Sequence, residues 1–221
     1  MMFALSERAQ DFIARTQAFI QQEIEPIEKA FWDEVHQLNV DGDWTKWQWP
    51  AQLEQLKTKA KAAGLWNMFL PDTELGAGLS VQEYAHIAEL TGRSLLAPTV
   101  FNCNAPDSGN MELLWRYGSR EQKQQWLQPL LNGDIRSVFC MTEPAVASSD
   151  ATNMQATAVI DGDEIVLNGR KWWSSGLGDP NAKIIIFMAY TPDPNKDRHH
   201  QHSMVLVPID TQGVSIERML P

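Results

Sequence analysis

At 221 residues, 43% hydrophobic and 21% charged, the chain has the make-up of an ordinary soluble globular protein, with room for one large domain or two small ones, and disorder is not expected. Acidic residues outnumber basic ones by 28 to 18, a formal charge of −10, and no Lys/Arg cluster interrupts that balance, which argues against a surface that tracks nucleic-acid phosphates. The longest apolar run, Ile184 to Tyr190, is too short to span a bilayer, and two cysteines without metal-ligand spacing, Cys103 and Cys140, point to a reducing compartment.

The amino terminus, Met1 to Glu7, has neither the charged region nor the apolar core of a signal peptide, so a cytoplasmic location is expected. From Ser6 to about Phe31 apolar residues recur as Phe12/Ile13, Phe19/Ile20, Ile24 and Ile27, a helical stripe in which Pro26 kinks or ends the first helix. Pro50 opens another helix that carries Leu53, Leu56 and Ala60 on one face and stops at Gly64. Ser80-Val81-Gln82-Glu83 reads as a capping box for a helix through about Arg93, and Ser119-Arg120-Glu121-Gln122 as one for a helix reaching Leu131. Near Asp134 the period changes to that of strands. Short runs rich in Val, Ile, Phe and Trp follow, punctuated by Asp161-Gly162 and Asn168-Gly169, dipeptides that supply the positive φ angles of tight hairpins. Further strands are expected at Ala182 to Tyr190, Ser203 to Ile209 and Val214 to Glu217, with a polar loop from Thr191 to His202. The predicted fold is α+β with two domains. An antiparallel helical bundle occupies residues 1–133, and an all-antiparallel β-barrel or sandwich occupies residues 134–221.

Three local patterns carry no function. Gly76-Ala77-Gly78-Leu79-Ser80 lacks the third glycine and the βαβ context of a dinucleotide-binding turn, and reads as a turn with a serine N-cap. His199, His200 and His202, beside Asp197 and Arg198, lack ligand spacing and read as a solvated loop. The tryptophans of Asp43-Trp44-Thr45-Lys46-Trp47-Gln48-Trp49 read as flat side chains packed under a loop.

The most informative stretch is Phe139-Cys140-Met141-Thr142-Glu143-Pro144-Ala145-Val146-Ala147-Ser148-Ser149-Asp150, followed after one hairpin by Lys171-Trp172-Trp173-Ser174-Ser175-Gly176. By residue type alone it reads as a strand ending in a Pro turn with an Asx or Ser turn behind it. As an ordered set, the two segments resemble the flavin-binding motifs of the acyl-CoA dehydrogenase family. The closest resemblance is to the subgroup of family members ten and eleven. Leu70-Pro71-Asp72 through Ser80 is similar to that family's loop before its third helix.

The resemblance implies an FAD-dependent enzyme of fatty-acid β-oxidation that converts an acyl-CoA thioester to the trans-2-enoyl-CoA. A carboxylate takes the C2 proton while hydride leaves C3 for the flavin. Electron-transfer flavoprotein is the implied electron acceptor, and a homo-oligomer the implied full-length form. Residue by residue, Phe139, Cys140, Met141 and Thr142 match the strand end that meets the flavin's pyrimidine edge. Ser148 and Ser149 match the pyrophosphate loop, with Ser149 also touching the CoA chain. Trp173 matches the aromatic on the isoalloxazine face, Ser175 the hydroxyl near N5, and Trp172 and Ser174 frame them. Glu143, beside Pro144, suits a structural acceptor for backbone N–H groups rather than a base. Ala145 to Ser149 is one residue longer than the common family pattern and has no glycine.

The family's carboxy-terminal four-helix bundle, which carries the base, is expected to be absent from this chain, so no catalytic residue is expected here. The alternatives are one subunit of a split dehydrogenase, or a non-catalytic module that binds acyl-CoA or protein.

Overall fold

A computed structural model describes residues 4–219. The chain divides between Gly133 and Asp134 into two compact units.

The first unit is helical. Helix α1 (Glu7–Phe19) starts where the Ser6 side chain accepts the Ala9 N–H at 3.2 Å, and it runs on through a wider π turn, Ile20–Ile24. Pro26 then falls in a turn, and α2 (Glu28–Leu38) begins beyond it. The remaining helices are α3 (Gln52–Ala62), α4 (Val81–Thr91), α5 (Ala97–Val100), α6 (Asp107–Tyr117), α7 (Arg120–Gln122) and α8 (Gln128–Asn132), with a π turn joining the last two. Both expected capping boxes form. Ser80 and Glu83 close the start of α4, and Ser119 and Gln122 that of α7.

One core unites the inward faces of α1 to α5. Phe12 and Phe19 of α1, Phe31 of α2, Leu53 and Leu56 of α3 and Ile87 of α4 are buried around Met68 and Phe101, and each such side chain contributes about 1.5–3 kcal/mol by leaving water. Inside it lies a polar knot that orders the end of α8. Asn102 donates to Asn67 Oδ1 at 2.7 Å and to the Leu130 carbonyl at 2.9 Å, while Asn67 donates to the Leu131 carbonyl at 2.9 Å. Both asparagines have positive φ, 52° and 54°, a conformation their short polar side chains tolerate. The tryptophans Trp47 and Trp49 pack with Trp32 and Phe31 at the edge of the core.

The second unit is one five-stranded sheet: β1 (Arg136–Cys140), β2 (Thr157–Asp161), β3 (Glu164–Asn168), β4 (Ala182–Tyr190) and β5 (His202–Pro208). Strands β2 and β3 form the expected hairpin, with Gly162 first in its two-residue loop at φ +61°. Strand β4 is the trunk. It pairs antiparallel with β5 along one edge, and its other edge takes β1 and, at Tyr190, the start of β2.

Those last two pairings are parallel, so the sheet is mixed and the all-antiparallel expectation is corrected. A parallel return needs a crossover of about a dozen residues or more. Here the candidate site loop and the β2–β3 hairpin supply it, without a crossover α-helix. Two further expectations fail. Val214 to Glu217 forms no strand, Glu217 pairing instead with Arg170. Asn168-Gly169 is not a turn between paired strands: a Cβ at Gly169 would lie 2.4 Å from the Ala156 Cβ, so the glycine is there for close backbone approach.

Candidate functional site

The site grows from the point where β1 ends. Val138 and Cys140 are buried in the sheet core, Phe139 and Met141 are half-buried, and the chain reaches the surface at Thr142. There the second segment runs alongside, the Trp172 N–H donating to the Thr142 carbonyl at 3.0 Å. The two segments recognised in the sequence are thus neighbours in space.

Glu143 and Lys171 lock them together. The side chains are only 4% and 5% exposed and meet at 2.9 Å. Glu143 Oε2 accepts the Gln155 N–H at 2.8 Å and Oε1 the Ala156 N–H at 2.9 Å, while Lys171 also donates to the Met141 carbonyl at 2.9 Å and lies 5.0 Å from the Phe187 ring centroid. Burial opposes ionisation of the Glu143 carboxyl, but the lysine and the two backbone donors outweigh it and hold its pKa below the ordinary value. The expectation that Glu143 accepts backbone N–H groups holds. Its pairing with Lys171 was not read from the sequence, although both residues stand in the quoted segments.

The other expected residues divide by exposure. Ser148 is 2% exposed and its Oγ accepts the Glu143 N–H at 2.7 Å, which leaves its own O–H proton and one lone pair for other partners. Ser149 is exposed on the following loop, and Asp150 caps a short turn, Ala151–Asn153, by accepting from Thr152. Arg198 reaches this loop from the β4–β5 connection, 3.8 Å from Asp150 and bonded to the Thr152 hydroxyl. Ser174 is half-buried, its hydroxyl bonding the Cys140 thiol, whose pKa is raised by burial, with that bond and the Lys171 charge opposing. Ser175 is exposed.

Trp172 and Trp173 are 46% and 64% exposed, their ring centroids 5.6 Å apart. Trp173 has φ +54°. A bulky residue in that region costs on the order of 1–3 kcal/mol, and such strain gathers at functional sites. The exposed surface therefore presents a flat aromatic pair and the hydroxyls of Thr142, Ser149 and Ser175, while the buried charges beneath cancel. This donor set fits a planar cofactor with a polar edge, such as a flavin.

A second concavity was not read from the sequence. In the helical unit a cavity of about 500 Å³ is lined by Tyr84, Thr91, Leu95, Thr99, Cys103 and Asn104. Burial pushes the Cys103 thiol up to about 11, and Asn104 Oδ1 is buried there without a hydrogen-bond partner. Among the described residues no cluster of His, Cys, Asp and Glu is suited to hold a metal, and no helix is long and apolar enough to cross a membrane.

Comparison with known proteins defines the class. Residues 6–134 match the family description "Acyl-CoA dehydrogenase, N-terminal domain" and residues 138–221 match "Acyl-CoA dehydrogenase, middle domain". The chain belongs to the acyl-CoA dehydrogenase family. It is 52% identical over 219 residues to acyl-CoA dehydrogenase family member 11 of Mus musculus, an alignment that takes in 99% of this chain and 28% of that protein. Among solved structures, a Mycobacterium abscessus chain assigned to the acyl-CoA dehydrogenases is 62% identical with a TM-score of 0.91, covering 99% of this chain and 54% of its own. A Mycobacterium smegmatis glutaryl-CoA dehydrogenase in complex with FADH2 is 26% identical with a TM-score of 0.65, covering 95% and 47%. The chain therefore spans about a quarter of the Mus musculus relative and about half of each of the two solved structures.

Proposed function

We propose that this chain is the helical and flavin-cradling part of an FAD-dependent acyl-CoA dehydrogenase, and that the whole protein oxidises an acyl-CoA thioester to the trans-2-enoyl-CoA. The observation that carries the reading is the exposed Trp172–Trp173 pair, with Trp173 held at positive φ beside exposed hydroxyls, on a base that the Glu143–Lys171 pair fixes. The Mycobacterium smegmatis relative in complex with FADH2 supports the cofactor. Thr142 and the backbone of Phe139 to Met141 would meet the polar edge of the flavin. Trp173 would offer its ring to the flat face, with Trp172 and Ser174 framing it, and Ser175 a hydroxyl. Ser149, with the Ser148 proton, would meet the pyrophosphate, and Ser149 the CoA chain. When bound, FAD supplies a two-electron acceptor.

This chain's residues bind and orient in that reaction; the proton at the carbon next to the thioester needs a base from elsewhere. Glu143 does not serve, because both its oxygens are engaged by Lys171, Gln155 and Ala156 inside the unit. In the whole protein we place a base in a further carboxy-terminal domain, electron-transfer flavoprotein as acceptor, a homo-oligomeric assembly and a cytoplasmic location. The test incubates the purified 221-residue chain with FAD, a panel of acyl-CoAs and an artificial electron acceptor, with and without the carboxy-terminal half of a family relative in trans. Turnover only with the second half supports the reading; turnover by this chain alone contradicts it.

A further inference from the structure

The most buried ion pair described in the protein touches neither exposed hydroxyl nor exposed ring, yet one of its members is bonded to the backbone beneath them. Lys171 Nζ is fixed on three sides, by Glu143 Oε1 and the Met141 carbonyl at 2.9 Å each and by the Phe187 ring. The Met141 carbonyl and the Thr142 N–H belong to a single peptide group, whose resonance couples the two atoms. A cation on the oxygen withdraws electron density from the nitrogen and makes its N–H a stronger donor. Thr142 is the residue at which β1's extension becomes exposed; Lys171 holds the carbonyl of the Met141–Thr142 peptide and Trp172 N–H holds that of the following Thr142–Glu143 peptide, so both sides of Thr142 are tied to the segment that carries Lys171.

We propose that Lys171 is a positioning residue for the cofactor, clamped by Glu143 so that it polarises the Met141–Thr142 peptide and strengthens the Thr142 N–H toward the flavin edge. The inference rests on the flavin reading above. A reduced flavin is the more electron-rich form, so a stronger donor favours it, and Lys171 raises both FAD affinity and the flavin midpoint potential. Glu143 acts only through Lys171.

A merely structural ion pair makes a different prediction, because removing both charges of a buried pair together is close to neutral whereas removing one is not. The experiment compares Lys171→Met/Glu143→Gln and Glu143→Gln with the parent in the full-length gene product. It measures the FAD dissociation constant, the flavin midpoint potential and the thermal midpoint. The double variant is expected to regain most of the thermal stability that Glu143→Gln loses, yet to bind FAD on the order of tenfold more weakly, the effect of losing one charge-assisted bond, and at a lower potential. Glu143→Gln, which keeps the bond from Lys171 to Met141, is expected to lose stability but to move the potential less than the double variant does. A double variant with the parent's affinity and potential overturns the proposal, as does a potential that follows stability in both variants. A parent that takes up no FAD contradicts the flavin reading itself.

Discussion

Two glutamates show how differently the two units are held. In the helical unit Glu83 lies at the surface and takes hydrogen bonds from Ser80, three residues away, and from Ser6. The Ser6 hydroxyl bond leads the effects that bring its pKa down to about 2. In the strand unit Glu143 is buried and takes its bonds from Gln155, Ala156 and Lys171, twelve to twenty-eight residues away. The first carboxylate joins the starts of α1 and α4, Ser6 and Glu83 being seventy-seven residues apart, at exposed groups that water would otherwise satisfy. The second ties three separate stretches of chain around a charge that has no access to water, so losing a partner there has no substitute.

The comparison breaks first at the lysine. Lys171→Met strands a buried carboxylate and is expected to lower unfolding stability by about 3–5 kcal/mol, measured by urea denaturation, with much of the loss recovered when Glu143→Gln is added. Gly169→Ala is expected to come next, at about 1–3 kcal/mol, because its methyl would force apart the backbone at Ala156, whose N–H is one of Glu143's donors. Ser80→Ala removes only a surface cap on α4 and is expected to cost about 1 kcal/mol.

Acid sharpens the contrast. A carboxyl whose pKa is depressed on folding adds stability above its unfolded value of 4.5 and loses it as pH falls from there through the lower folded value. The strand unit of the parent is therefore expected to weaken below pH 4.5 more steeply than that of Lys171→Met/Glu143→Gln, as followed by near-ultraviolet circular dichroism.

The same division sets what the sequence made legible. Signals whose physics closes within a few residues were read correctly: the two capping boxes, Pro26 ending the first helix, and glycine in the hairpin after Asp161. Helix α6 was missed because it begins without a side-chain cap and carries Gly109 and Asn110 within it. The direction in which β1 meets β4 was misjudged because alternation along a strand reports which face is buried, not which way its neighbour runs. Gly169 carried the ordinary mark of a turn, while its reason is Ala156, distant in the chain. At the candidate site the residue types were visible and the tie between Glu143 and Lys171 was not, since nothing in a lysine twenty-eight positions on announces its partner.

The central claim, that the strand unit presents a flavin-binding surface at Trp173, is tested most directly by titrating FAD into the full-length protein and its Trp173→Ala variant. Binding is followed by the flavin absorption spectrum. The expected result is saturable uptake by the parent, with affinity in the variant weaker by about tenfold, the equivalent of roughly 1.4 kcal/mol for an aromatic contact, and an altered spectrum. Full FAD retention with an unchanged spectrum in Trp173→Ala would contradict it.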